Sequence, residues 1–351
     1  MSPIDVIAAI ALLILVFFLM FLSYRVGRQT GTTAAAQDDF RRPVNTFLYY
    51  KAPVAVKAEL SSGLRVTAVR GIQVPESFDS RQKWQDSIGE PLDQGTCGSC
   101  WAFASATAIA DRFRIAEPDN TELRLRFSYC PFVDPPSSYV VTNTLSPYEL
   151  VSCDICAETQ NDLPETVEHV GGEDEECDMG CEGGYISHVY KYIAEHGITT
   201  MVCTPPTCDP NNPPGTDCDC DRGDQCRVYQ PRAVYSLFNT TDDTATKAQK
   251  IKEDVFAYGP VTTGFTVYNS FYQFFQQNPT GIYTTESQPP GDLPIGGHAI
   301  SIFGWGVDSS SGTQYWLCRN SWGIKWGDQG FFKIQYDWGD FLEPLWMAAR
   351  I

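Results

Sequence analysis

Apolar side chains recur with a helical period in three segments of the chain. Residues Cys100 to about Ala116 contain no Gly or Pro, and apolar residues return there every three or four positions. The same spacing predicts a helix from Gly184 to His196, ended by Gly197. It predicts a third helix from Thr246 to Tyr258, which the Gly-Pro pair after it would terminate.

The second half of the chain has strand patterns instead. Apolar or alternating runs predict strands at 261–267, 299–305, 315–318 and 330–336. Between the first helix and Val151 the chain carries an insertion rich in Pro and Ser. A helical part at about 75–200 and a strand-rich part at about 225–345 predict an α+β fold of two lobes with a cleft between them.

The N-terminal segment is almost wholly apolar. Residues 4–22 carry one charged side chain, Asp5, and a run of about 19 apolar residues can cross a bilayer as a helix. A secretory signal peptide is the alternative, although no Lys or Arg precedes Arg25. We therefore predict a transmembrane anchor at 1–25, a linker or short propeptide at 26–74, and a globular domain at 75–351.

The orientation of this anchor is indicated by conflicting signals. Arg25 and Arg28 follow the apolar run, and the positive-inside rule would place that side in the cytosol. The many cysteines and the sequon that begins at Asn239 favour the lumenal or extracytoplasmic side. We expect the second orientation, in a single-pass membrane protein glycosylated at Asn239.

Composition narrows the class of function. The formal net charge of −18 makes nucleic-acid binding through a basic face implausible, so no nucleic-acid partner is expected. The 13 cysteines indicate an oxidising compartment, with a reduced protein as the alternative. We expect Cys153 to pair with Cys203, and Cys318, in a predicted strand, to remain a free buried thiol.

The stretch from Gln94 to Ala104 places a thiol, that of Cys100, at a turn that leads into the first predicted helix. Unpaired backbone N–H groups and the helix dipole favour negative charge there, so we expect the thiol to ionise easily. A thiolate is a strong nucleophile. The alternative is a metal-binding or redox pair formed by Cys97 and Cys100.

The same stretch resembles the active-site block of papain-like cysteine proteases. The resemblance implies that Cys100 is the catalytic nucleophile and that Gln94 donates a hydrogen bond to the oxyanion. It also implies a disulfide between Cys97 and Cys181. The fold implied is the papain-like fold, in which a helical lobe faces a barrel-like lobe of strands.

A papain-like mechanism needs a base, and the chain has four histidines. A lone histidine in a strand is most often structural, but His298 lies in the block Gly296–Gly306, which resembles the family's base-bearing block. The block Gln314–Gly323 resembles the one that supplies the third catalytic residue, here Asn320, which would orient the imidazole. Trp322 would cover that hydrogen bond.

Other residues resemble the family's substrate-binding positions. The stretch that ends at Gly183 and Gly184 resembles one wall of the cleft, where glycine lets an extended peptide approach the backbone. Gly98 would pair with substrate from the opposite side. Trp346 occupies the place of the S2 pocket floor, which predicts a preference for apolar P2 residues.

The short proregion and the chain length after Gly330 resemble cathepsin B-like members. The stretch Val74–Arg81 resembles a mature N-terminus, so we expect cleavage near Gln73–Glu76 to raise activity. The loop Cys203–Cys226 holds no histidine, whereas the comparable loop of that branch binds a substrate C-terminus through histidines. We therefore expect an endopeptidase, with a zinc site in this loop as an alternative reading of its cysteines.

Together these features predict a membrane-anchored thiol endopeptidase that acts on polypeptides, needs neither cofactor nor metal, and has a monomeric catalytic domain. Two other classes stay open. An inactive binding protein of the same fold would lack the nucleophile. A peptide ligase would use the same cysteine and histidine, and product analysis with an added amine would identify it.

Overall fold

The computed structural model describes residues 71–129, 139–152, 180–203, 226–238, 242–338 and 347–351. All of these residues belong to one compact unit. Its helices are α1 (Ser80–Lys83), α2 (Cys100–Ala116), α3 (Pro147–Ser152), α4 (Ile186–His196), α5 (Thr244–Tyr258) and α6 (Asn269–Gln277). Short 3-10 helices lie at Glu122–Arg124, Gly180–Glu182 and Thr285–Ser287.

The strands are β1 (Phe78–Asp79), β2 (Arg126–Tyr129), β3 (Tyr139–Thr142), β4 (Ala233–Ser236), β5 (Val261–Tyr268), β6 (Ile282–Tyr283), β7 (Pro294–Val307), β8 (Gln314–Arg319), β9 (Phe331–Gln335) and β10 (Met347–Arg350). The main sheet has the order β4-β10-β5-β7-β8-β9-β6, and β1 joins it beside β7. β2 and β3 form a separate ribbon. Helices α2 to α4 precede the main run of strands, which confirms the predicted α+β arrangement.

Strand β7 is the centre of the main sheet. Its first part pairs with β5, which places Phe265 opposite His298, and its second part pairs with β8, which places Ser301 opposite Arg319. β1 pairs with Gly304 and Trp305, near the end of the same strand. A Cβ atom at Gly304 would collide with a carbonyl of β1, so glycine permits this close pairing.

Helix α2 lies in the core between the helical part and the sheet. It starts at Cys100 and ends at Ala116, as the sequence predicts. It packs against β5, β7 and β10 on one side and against α3 and α4 on the other. Every residue from Cys100 to Arg114 is buried, so the helix has no solvent-facing side over this length.

The other two predicted helices are confirmed with small shifts at their starts. α4 begins two residues later than expected, and Gly197 follows it with a φ of 69°. α5 begins at Thr244, because the Asp243 side chain accepts a hydrogen bond from the Thr246 N–H and caps the helix. Gly259 follows α5 with a φ of 104°, where a side chain would be strained.

The predicted Cys153–Cys203 disulfide is wrong, because Cys203 bonds to Cys226. Ile198 and Tyr229 exchange two backbone hydrogen bonds of 3.0 and 2.8 Å. This antiparallel pairing brings the chain after Cys226 beside the chain before Cys203. The Cα atoms of the two cysteines lie 5.8 Å apart. Both thiols are therefore unavailable to the zinc site considered above. Cys318 is a free buried thiol, as expected.

Within the described ranges no helix is long and apolar enough to cross a membrane. The predicted anchor at 4–22 lies outside those ranges, as does Cys153.

Candidate active site

The Cys100 thiol lies at the first residue of α2, and the residue is fully buried. The backbone N–H groups of Ala299, Trp101 and Cys100 itself lie near enough to the sulfur to favour its charged form. The first of these N–H groups belongs to strand β7. The sulfur therefore lies beside the backbone of the residue that follows His298.

A disulfide between Cys97 and Cys181 holds the turn that precedes this helix, which is the pairing that the resemblance implies. The Gly98 N–H donates to the Cys181 carbonyl over 2.8 Å and ties the same two segments together. Because Cys97 is oxidised and Cys100 is free, a Cys97–Cys100 metal or redox pair is excluded.

Gly183 and Gly184 lie two and three residues after Cys181, the second cysteine of that disulfide. Gly183 has a φ of 130°, in the region that favours glycine, and Gly184 is buried. Two residues without side chains therefore lie in the segment that the disulfide holds near the start of α2. Gly98 uses its N–H within the protein, so its carbonyl is the group left for a ligand.

His298 lies on β7 and is fully buried. Its Nε2 atom is 2.7 Å from the side-chain oxygen of Asn320, which also accepts the Ser321 N–H over 2.8 Å. The Asn320 N–H donates to the Gly330 carbonyl over 3.0 Å and fixes the backbone at this point. Among the described residues, the His298 Nδ1 atom has no hydrogen-bond partner.

The imidazole is covered by a stack of aromatic rings. Trp322 stacks on His298 with a centroid distance of 4.5 Å and an interplanar angle of 29°. Tyr272, on helix α6, stacks on the same indole at 4.7 Å and 10°. Sequence reasoning did not identify Tyr272, although the aromatic residues of α6 were the available signal.

Gln94 is fully buried beside the segment that follows Asn320. Its N–H donates to the Ser321 carbonyl over 2.8 Å, and the Ser321 hydroxyl donates to its side-chain oxygen over 2.5 Å. Its side-chain nitrogen donates to the Cys97 carbonyl over 2.8 Å. An amide nitrogen carries two N–H donors, and this contact uses one of them.

Burial controls the charge of both reactive groups. Loss of water raises the pKa of the Cys100 thiol to about 11, although backbone N–H groups oppose this. Burial also lowers the pKa of His298 to about 4, against the effect of the Asn320 hydrogen bond. The expectation that the start of the helix makes this thiol acidic is therefore wrong for the buried site.

Two predicted site residues, Trp346 and Asn239, lie outside the described ranges. In the ranges that the structure describes, no three His, Cys, Asp or Glu side chains come together as a metal site would require. The site therefore consists of a thiol, an imidazole, two carboxamides and an aromatic cover.

A sequence profile described as papain family cysteine protease matches residues 74–128 and 138–341. The interruption between them falls in the Pro- and Ser-rich insertion. Cathepsin B-like cysteine proteinase 4 of Caenorhabditis elegans is 33% identical over 286 residues, which cover 74% of this chain and 70% of that protein. Cathepsin B-like CP3 of Giardia intestinalis is 30% identical over 268 residues, with 76% and 71% covered.

Solved structures match the same fold. Procathepsin B S9 from Trypanosoma congolense has a TM-score of 0.57 at 24% identity, covering 88% of this chain and 87% of that chain. Digestive procathepsin L 3 of Tenebrio molitor larval midgut has a TM-score of 0.55 at 21% identity, covering 88% and 77%. At these identities the likeness concerns the fold.

Proposed function

The chain belongs to the papain family of cysteine proteases, and on that basis we propose that Cys100, His298 and Asn320 are its catalytic triad. The chain is a cysteine-type peptidase that acts on polypeptides. One observation carries the proposal. The Cys100 sulfur lies beside the backbone N–H of the residue after His298, while the Nε2 atom of that imidazole is 2.7 Å from the side-chain oxygen of Asn320.

In the proposed reaction, the Cys100 proton moves to His298 Nδ1 and the sulfur attacks the scissile carbonyl. The C–N bond then breaks as His298 returns the proton to the leaving amine, which leaves a thioester on the sulfur. Water loses a proton to His298, attacks the thioester, and the carboxylic acid product departs as Cys100 regains its proton. Asn320 holds the ring in the orientation that each transfer needs.

The oxyanion of each tetrahedral intermediate needs donors. We propose the backbone N–H of Cys100 and the second N–H of the Gln94 side chain. The four contacts that fix Gln94 to neighbouring backbone and to Ser321 support this role, since a preorganised donor costs no rearrangement during the reaction. Loss of one such donor typically raises the barrier by about 2.7–4 kcal/mol.

The buried pair must change its charge state before it reacts. Burial favours the neutral thiol and neutral imidazole, because each ion alone would lose its hydration. Transfer of the proton from Cys100 to His298 produces two opposite charges that stabilise each other, and the pair titrates as one unit. We propose that substrate binding, with water reaching the site, favours this ion pair.

The test is hydrolysis of a reporter peptide by the processed enzyme. We expect Cys100→Ser to abolish turnover, and Cys318→Ser, which changes the other free thiol among the described residues, to retain it. Turnover by the Cys100→Ser variant equal to that of the unchanged enzyme would exclude the proposed nucleophile.

We further propose endopeptidase specificity with an apolar P2 preference. The absence of histidine from the Cys203–Cys226 sequence supports the first part, and the ungapped position of Trp346 supports the second. We expect faster cleavage of Phe-Arg than of Arg-Arg reporter peptides. Rapid release of C-terminal dipeptides would contradict endopeptidase action, and faster Arg-Arg cleavage would contradict the apolar pocket.

We propose that the catalytic domain begins near residue 75 and that cleavage near Gln73–Glu76 activates it. Residues 75–77 are exposed, while Phe78, directly after them, is buried against Trp305. A protease could therefore cut this exposed segment without disturbing the core. Equal activity of full-length and trimmed protein would refute the activation step.

We also propose that residues 4–22 anchor a monomeric catalytic domain in a membrane, with the domain and a glycan at Asn239 on the lumenal or extracytoplasmic side. The two disulfides support an oxidising compartment. Protease added to the cytosolic side of intact membranes should leave the domain undigested. Complete digestion would reverse the orientation.

A further inference from the structure

Arg319 is a buried arginine at the end of β8, directly before Asn320. Its guanidinium contacts three separate segments of the chain. Nη1 lies 2.9 Å from Oδ2 of Asp111 on helix α2 and donates to the Gly89 carbonyl over 2.9 Å. Nε donates to the Ser301 hydroxyl on β7 over 3.1 Å.

Each contacted segment carries another residue of the proposed catalytic machinery. The helix begins at Cys100, the strand carries His298, and the loop leads to Gln94. Arg319 itself is covalently joined to Asn320. One planar group therefore links the four parts of the chain that must keep a fixed geometry for the reaction.

Asp111, the acidic partner of Arg319, is also held by several contacts. Asp111 is fully buried, and its Oδ1 accepts the Gly89 N–H over 2.9 Å and Nη1 of Arg114 over 2.5 Å. A Cβ atom at Gly89 would lie 3.1 Å from Arg114, so glycine allows the loop to sit this close. The loop is thus bound to helix α2 through the N–H of Gly89 and to strand β8 through the carbonyl of the same residue.

Side-chain packing around Arg319 and Asn320 is incomplete. A cavity of about 10 Å³ lies beside the site and is lined in part by Ala104, Ala299, Arg319 and Asn320. Atoms next to a void lose van der Waals contacts on that side, so directional polar contacts have more influence on where Asn320 lies.

We infer that Arg319 is a positioning residue of the protease, which sets the triad geometry by joining the backbone segments of Cys100, His298, Asn320 and Gln94. Asp111 serves as its buried counterion. Asp111 lies about 16 Å along the helix axis from Cys100, so it acts through the position of Arg319 and not as a charge beside the sulfur. This inference rests on the proposed triad.

The test compares kcat and KM, with kcat expressed per active site titrated by an epoxysuccinyl inhibitor. We expect Arg319→Met to lower kcat about 10- to 100-fold with little change in KM, because small misplacements of reacting groups have effects of this size. Arg319→Lys keeps the charge but not the fork of donors, so its kcat should fall less. Ser301→Ala removes one contact, and its kcat should fall a few-fold.

The matched control is Arg112→Lys. Arg112 lies on helix α2 beside Asp111 and is buried like Arg319, but its partners are Asp254, the Tyr235 hydroxyl and the carbonyls of residues 259, 260 and 349, none of which is a proposed catalytic residue. We expect this change to lower the melting temperature and to leave kcat per titrated site within about twofold.

Three results would overturn the inference: unchanged kcat per titrated site in Arg319→Lys, unchanged kcat in Ser301→Ala, or an equal fall in Arg112→Lys. If Arg319→Met does not fold, the two milder variants decide. If the unchanged enzyme neither reacts with the titrant nor cleaves peptide, the proposed function fails and not this inference alone.

Discussion

The two halves of helix α2 are buried equally but hold different kinds of side chain. The first half, from Cys100 to Ile109, is made of apolar, small or uncharged residues and begins with the proposed nucleophile. The second half contains three charged side chains, Asp111, Arg112 and Arg114, each at most 2% exposed. The first half packs against its neighbours by shape, whereas the second needs a counterion or carbonyl for each charge.

This difference predicts how strongly the stability of the protein depends on each half of the helix. Buried charges cost free energy unless they are paired, so the second half depends on partners from α5, β8 and the loop at residue 89. The first half contributes its apolar surface and the thiol. We therefore expect changes in the second half to lower stability most, and a change of Cys100 to lower it least.

Arg112→Met should produce the largest loss of stability. The variant leaves the carboxylate of Asp254 buried without its ion-pair partner, and removing one partner of a buried pair typically costs about 3–5 kcal/mol. Urea denaturation at pH 7 measures the loss of unfolding free energy. The double variant Arg112→Met, Asp254→Leu should recover part of it. A loss below about 1 kcal/mol would contradict the account.

Acidification should reveal the burial of His298. The unfolded chain binds a proton at this side chain near its ordinary pKa of 6.5, whereas the folded protein binds it only near pH 4. Above pH 6.5, the neutral His298 therefore makes its full contribution to the free energy of unfolding. This free energy falls by about 3 kcal/mol as the pH is lowered from 6.5 through 4.

Comparison of unfolding free energies of the unchanged protein and of His298→Ala between pH 7 and pH 4 measures this effect. The difference between the two proteins should shrink on acidification. A difference that stays constant over this range would contradict the burial of a neutral imidazole.

Tyr235→Phe should have a smaller effect in the same charged cluster. The Tyr235 hydroxyl donates to the Asp254 carboxylate over 2.6 Å, and both side chains are buried. Loss of one hydrogen bond to a charged group costs about 2 kcal/mol. Thermal or urea denaturation would show it, and an unchanged midpoint would mean that Arg112 alone satisfies the carboxylate.

Cys100→Ala should change stability least while it abolishes activity. The substitution removes one buried sulfur atom, and the loss of a small buried group costs about 1 kcal/mol. Peptide hydrolysis and urea denaturation on the same sample separate the two effects. A loss of stability as large as that of Arg112→Met would show that the two halves do not differ as described.

The sequence predicted helix α2 over its whole length, the strand that carries His298 and the strand that ends directly before Asn320. Their signals are local: a turn with glycines, a helical period, and β-branched runs bounded by glycine. It also predicted the Cys97–Cys181 disulfide, through the resemblance, and the free thiol of Cys318.

The charged network was not predicted, because its partners are distant in sequence. Arg112 and Asp254 are 142 positions apart, and nothing in either local pattern indicates that they meet. The raised pKa of Cys100 was missed for the same reason, since burial depends on the packing of several elements. The Cys203–Cys226 pairing depends on the antiparallel contact between Ile198 and Tyr229, which also forms across a long gap.

Reaction with an epoxysuccinyl inhibitor, followed by peptide mapping, tests the central claim most directly. Our account predicts one modified residue, Cys100, with Cys318 unmodified as an internal control, and a much slower reaction in His298→Ala. A processed sample that cleaves peptides but carries the label elsewhere, or carries none, would contradict the assignment of Cys100 as the nucleophile.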